Sequence, residues 1–126
     1  MSDFTEEFQF TPRKSGTGLV AEGDWHGDEI TVHAIVTRGG SEETAVSVLE
    51  TLYRYWKAWS ADLIEAIEND HGDPGDFWIE AISAYDGDED EGYFEIEFSA
   101  PDLFEEELAM AVGTLRRGFD EVGLAG

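Results

Sequence analysis

The chain has 126 residues, the length of one domain. Thirty acidic residues against seven basic ones leave a formal charge of −23, which argues against the basic face that nucleic acid or anionic lipid requires. A hydrophobic fraction of 41%, with 13% aromatics, is too apolar for a disordered acidic tail, and the absence of cysteine removes disulfides, thiol nucleophiles and thiolate metal sites.

In chain order, residues 1–7 lack the basic-then-apolar pattern of a signal peptide. No run approaches the ~20 apolar residues of a membrane span, and the expected location is cytoplasmic. Residues 5–11 alternate polar and apolar and predict a short strand. Residues 12–18 form a basic, glycine-containing connector. Residues 18–25 and 29–37 predict a hairpin turned at His26-Gly27, with Ile30, Val32, Ala34 and Val36 on one face and Thr31, His33, Ile35 and Thr37 on the other. Arg38-Gly39-Gly40 ends it.

Ser41 then reads as an N-cap, with Glu42 and Glu43 suited to the first turn of a helix. Ala45, Val48, Leu49, Leu52, Trp56, Trp59, Leu63, Ile64 and Ile67 recur at helical spacing and predict one long helix to about residue 69, bent near residues 60–62. Glu50 and Arg54 are an i,i+4 pair on its exposed side. Residues 69–75 (Asn-Asp-His-Gly-Asp-Pro-Gly) stop it. Residues 77–85 and 92–99 predict a second hairpin, in which Phe94, Ile96 and Phe98 oppose Tyr93, Glu95 and Glu97. Residues 99–102 resemble a cap, and Phe104, Leu108, Ala111, Val112, Leu115 and Phe119 continue at helical spacing. That predicts a C-terminal helix weakened by Gly113 and Gly118; the alternative is a strand over residues 108–114. The expected fold is a single α+β domain: a mainly antiparallel sheet with both helices on one face.

The charge is uneven, with eleven acidic and five basic residues in the first 63 positions and nineteen and two in the last 63. Two explanations compete. A salty cytoplasm favours dense carboxylates that keep a surface hydrated, and the chain has only two lysines, Lys14 and Lys57. A partner with a basic surface would be steered in by complementary charge.

Motif matches are weak. Residues 16–21 (Gly-Thr-Gly-Leu-Val-Ala) match the letters of a dinucleotide-binding loop, but no helix is expected after them. Asp86, Asp88 and Asp90 open like a calcium-binding loop and Glu97 falls at the twelfth position. The sixth position is Glu91 instead of the turn-forming glycine, so a solvated acidic turn is the simpler reading and a weak cation site the other. His26, His33 and His71 stand on separate elements without metal-ligand spacing; His71 suits a helix C-terminus and His33 would serve as a base only beside a carboxylate. No catalytic set, cofactor or metal is expected. Tyr53, Tyr55, Trp56 and Trp59 form the densest aromatic cluster. Trp56 and Trp59 lie on the apolar stripe. Tyr55 lies off it and, with Trp78, would form an exposed anchor if it were not packed in the core.

The Trp25-x-Gly27 turn, the aromatic-rich helix, the strand over residues 79–85 and Phe98-x-x-x-Asp102-Leu103-Phe104 together resemble a group of small bacterial domains, some of them regarded as immunity proteins of polymorphic toxin systems. The resemblance spans residues 22–126, implies no catalytic residues, and implies strand in the C-terminal stretch. The expectation is therefore a non-enzymatic acidic binding domain of immunity, inhibitor or DNA-mimic type, with no direct nucleic-acid or membrane contact. Its basic partner would be met by Asp86, Asp88, Asp90, Glu91, Tyr55 and Trp78. The alternative is a halophile-adapted domain whose acidity is environmental and which self-associates.

Overall fold

A computed structural model describes residues 4–14, 17–36, 41–86 and 92–125. Its first element corrects the expected strand: α1 (Phe4–Glu7) is a single helical turn. Phe4 and Phe8 are spaced one turn apart and are both buried, with ring centroids 5.1 Å apart, and the Phe8 N–H donates to the Phe4 carbonyl at 2.9 Å. Strands β1 (Thr11–Pro12), β2 (Gly18–Trp25) and β3 (Asp28–Ile35) follow. The β2–β3 hairpin keeps the anticipated alternation, with Ile30, Val32 and Ala34 buried. Its turn residues, His26 (φ 50°) and Gly27 (φ 107°), both occupy the left-handed region that a two-residue hairpin with right-handed twist demands.

The expected single long helix is two: α2 (Glu42–Arg54) and α3 (Trp56–Asp70), broken at Tyr55 (φ −107°, ψ 28°) instead of residues 60–62. Ser41 is the N-cap residue, although its hydroxyl makes no capping bond, and Arg54 lies 3.8 Å from Glu50. The break follows from the dimensions of the sheet. An eight-residue strand is roughly 26 Å long, whereas an unbroken helix of ~28 residues would run about 42 Å. By turning at Tyr55, the chain lays α2 across β2, β3 and β4 (Trp78–Tyr85) and α3 against the far edge strand.

β5 (Tyr93–Ser99) is followed by α4 (Pro101–Phe104), β6 (Ala109–Thr114) and β7 (Gly118–Leu124). The expected C-terminal helix is therefore one turn, ended by Glu105 at φ 56°, and the rest is a hairpin. The residues that mattered are the alanines: Ala109 and Ala111 are fully buried while Met110 and Val112 face away, a period of two. Gly113 is required there, because a Cβ would lie 2.3 Å from the Gly118 carbonyl oxygen.

Among the described residues, seven strands form one sheet in chain order, β1 to β7. Every neighbouring pair is antiparallel except β3 and β4, which are parallel and joined by the α2–α3 crossover. All the helical elements lie on one face, over a core of Trp25, Val32, Ile82, Phe94, Ile96 and Phe98. Trp25, at the end of β2, is 1% exposed, with Trp56 edge-on at 5.5 Å. Trp56 and Trp59 pack on that core while keeping part of their surface in solvent, and Trp59 meets Phe94 at 5.3 Å.

Candidate protein interface

Because the helices share one side, the other face of the sheet carries no covering layer among the described residues. Strand alternation decides which side chains occupy it. In β5, burying Phe94, Ile96 and Phe98 forces Tyr93, Glu95, Glu97 and Ser99 outward. Cross-strand register then builds two rows. One runs Val20, His33, Ser83, Glu95, Val112, Glu121; the other runs Glu22, Thr31, Ala81, Glu97, Met110, Gly123. A bulge between Ile79 and Ala81 adds Glu80 to the same surface.

Two of the carboxylates are held in place by their neighbours. Tyr85 donates its hydroxyl to Glu95 at 2.6 Å, and Tyr93 makes a longer bond of 3.4 Å to the other oxygen. Glu80 accepts the Trp78 indole N–H at 2.9 Å and the Ser99 hydroxyl at 2.6 Å. Glu97 has no hydrogen-bond donor among the described residues; partial burial, then the charges of Glu95 and Glu80, push its carboxyl pKa above the usual value. Burial and, next, the bond to Glu95 raise the Tyr85 phenol, and burial followed by the Glu95 charge raises Tyr93. At the β1 side, Arg13 lies close enough to reinforce the effect of burial on His33, whose pKa is lowered. The Arg13 guanidinium donates to the Thr17 carbonyl at 3.1 Å.

Two hollows adjoin this surface. One of about 470 Å³ is lined by Glu97, Glu107, Leu108, Met110, Leu124 and Ala125. One of about 300 Å³ lies beside Arg13, Lys14 and His33.

The residues singled out from the sequence fare unequally. Tyr55 (57% exposed) and Trp78 (42%) are both solvent-facing. Tyr55 is at the α2–α3 junction on the helical side, and Trp78 is paired with Ser99 on the uncovered face, so they do not make one anchor. Asp86 is 4% exposed, not part of a solvated turn; its N–H donates to the Ile35 carbonyl at 3.2 Å, closing the end of the parallel pair. Asp88, Asp90 and Glu91 lie outside the described residues. Of the glycine motif over residues 16–21, Gly16 lies outside the described residues, and residues 18–21 belong to β2, not a helix. His26 donates to the Tyr53 carbonyl at 2.7 Å and His71 to the Val122 carbonyl at 2.9 Å, so both pin helical segments to neighbouring strands. Sequence reading missed Glu80, Glu95, Glu97 and Glu121 as a group, although the alternation in residues 93–99 already set Glu95 and Glu97 on one side.

Among the described residues no three His, Asp or Glu side chains are grouped as a metal site would require, and no helix is long and apolar enough to cross a membrane. No protein-family model, curated protein or solved structure matches the chain.

Proposed function

We propose that this chain is a non-enzymatic binding domain that docks a basic protein surface on its uncovered sheet face, as an immunity or inhibitor protein does. The observation that carries this reading is the set of four carboxylates, Glu80, Glu95, Glu97 and Glu121, on a sheet face that no helix covers among the described residues, two of them fixed by aromatic donors. Positioned carboxylates on a rigid surface lose less freedom on binding than mobile ones. They also suit the steering of a cationic partner, and carry the sign of charge that phosphates present to a nucleic-acid-binding partner. Trp78 and Tyr93 add aromatic area of the kind that dominates interface energetics.

A second reading rests on Glu42, Glu43, Asp62, Glu65, Glu68 and Asp70, which are exposed on the helical side. Acidity on both sides fits an environmental adaptation to salt. Two charge-matched variants separate the readings. One carries Glu80→Gln, Glu95→Gln, Glu97→Gln and Glu121→Gln; the other carries Glu42→Gln, Asp62→Asn, Glu65→Gln and Glu68→Gln. Capture from the native lysate at native salt should recover the same partner with wild type and the helical variant, and lose it with the sheet variant. Equal behaviour of the two variants would reject the sheet face as the interface.

A further inference from the structure

We infer that the hollow at the β5–β6–β7 corner of the uncovered face is a socket for an arginine side chain of the basic partner, an inference that rests on the binding role proposed above. Gly123 is paired with Met110 of the lining and stands next to Leu124, so the row Glu97, Met110, Gly123 ends beside the hollow in a residue with no side chain. A Cβ built on Gly123 would meet nothing within 4 Å, so the space beyond Met110 is open. Leu108, Met110 and Leu124 give it apolar walls, and Leu124 is 53% exposed. Glu97 and Glu107 stand on its lining.

This combination selects a particular chemistry. An apolar wall with carboxylates suits a side chain that has an aliphatic stem and a cationic head. Guanidinium fits better than ammonium, since it is planar, less strongly hydrated and able to divide five donors between two carboxylates. Glu95 and Glu80 already receive donors from the protein, whereas Glu97 receives none among the described residues. A partly desolvated acceptor without a donor gains most from an incoming N–H group. The raised pKa of Glu97 agrees with a carboxylate whose counter-charge comes from outside the chain.

The test is a titration with Nα-acetyl-arginine amide, followed through the backbone amide resonances of Met110 and Gly123, with the neutral citrulline analogue alongside. The arginine probe should shift both resonances saturably and citrulline should not. Glu97→Gln should weaken binding at least about tenfold, the effect of losing one charge-assisted hydrogen bond. Gly123→Leu should abolish it while leaving the melting temperature unchanged, because its backbone is not in the left-handed region and its Cβ is unobstructed. Equal binding of citrulline, or undiminished arginine binding in Glu97→Gln, would overturn the socket. If the socket fails while the four-carboxylate sheet variant still loses its partner, the corner assignment alone is wrong. If that variant keeps its partner, the binding role falls with it.

Discussion

Trp25 offers the sharpest test of how the core is built. It is 1% exposed, and Phe8, Tyr53 and Trp56 meet its ring at 5.9, 5.2 and 5.5 Å in edge-on geometry. Its indole N–H is buried without a hydrogen-bond partner among the described residues. Trp25→Ala should cost about 3–5 kcal/mol, the range for emptying a core aromatic site. The upper part of that range is expected, because edge-on ring pairs add about 0.5–1.5 kcal/mol beyond area burial. Trp25→Phe should behave differently. Losing the distal part of the indole costs about 1–2 kcal/mol in packing, but the change removes an orphaned donor whose desolvation costs about 1–3 kcal/mol. The two offset, and Trp25→Phe should fall within about 1 kcal/mol of wild type. Urea unfolding followed by far-ultraviolet circular dichroism, at fixed high KCl, gives both values by linear extrapolation. If Trp25→Phe is as damaging as Trp25→Ala, the indole N–H has a partner and the packing argument is wrong.

Three further outcomes follow from charge and backbone geometry. The melting temperature should rise between low-salt buffer and molar KCl, since the screening length contracts from ~30 Å at ~0.01 M to ~3 Å at ~1 M; a flat profile would remove self-repulsion as a destabilising force in a chain of charge −23. Because the folded state raises the Glu97 pKa, it holds that proton more tightly than the unfolded chain. Stability should therefore fall as pH rises from the unfolded value near 4.5 through the folded one. Glu97→Gln should be more stable than wild type at neutral pH, with the gap closing below pH 4.5, and thermal melts across that range would contradict this if the gap widened in acid. Gly18→Ala should destabilise by about 2 kcal/mol or more, because φ is +113° and the new Cβ would lie 2.1 Å from the Ala34 carbonyl oxygen. Gly123→Ala, by contrast, should stay within about 0.5 kcal/mol, and equal effects in urea would discredit the backbone description.

Much of the fold was legible because alternation over eight residues has only one interpretation. The β2–β3 hairpin and the strands on either side of residues 86–92 came directly from that pattern and from the His26-Gly27 turn. The break at Tyr55 was not legible. The apolar phase runs unbroken through Leu52, Trp56, Trp59 and Leu63, so nothing local marks where the sheet runs out beneath the helix. The C-terminal hairpin was misjudged for a related reason. Phe104, Leu108 and Leu115 dominate any hydrophobic count, yet Leu108 and Leu115 are only half-buried while Ala109 and Ala111 are fully buried in the core. Phe4 and Phe8 repeat the lesson at the other end, where helical spacing outweighed an apparent alternation. The candidate interface depended on information of another kind. The outward direction of Glu95 and Glu97 was readable, but whether a second layer covers that face is decided by the placement of helices far away in the chain.

The lone parallel seam divides the protein by closure distance. Among the described residues, five of the six strand pairings join antiparallel strands separated by short stretches of chain, whereas β3 and β4 meet only after the whole helical crossover has been traversed. The entropy of closing a loop grows with its length, and non-local pairing is slow for that reason. The β1–β3 sheet and the β4–β7 meander can each gather from nearby residues, and the α2–α3 crossover must then bring one against the other. Asp28 accepts the Ile79 N–H at 3.0 Å across one end of that junction, and the Asp86 N–H meets the Ile35 carbonyl at the other. These two contacts clasp the seam at both ends, and loop-closure entropy predicts that it zips after both flanking sheets, as the late step that makes the uncovered face continuous from His33 to Glu97.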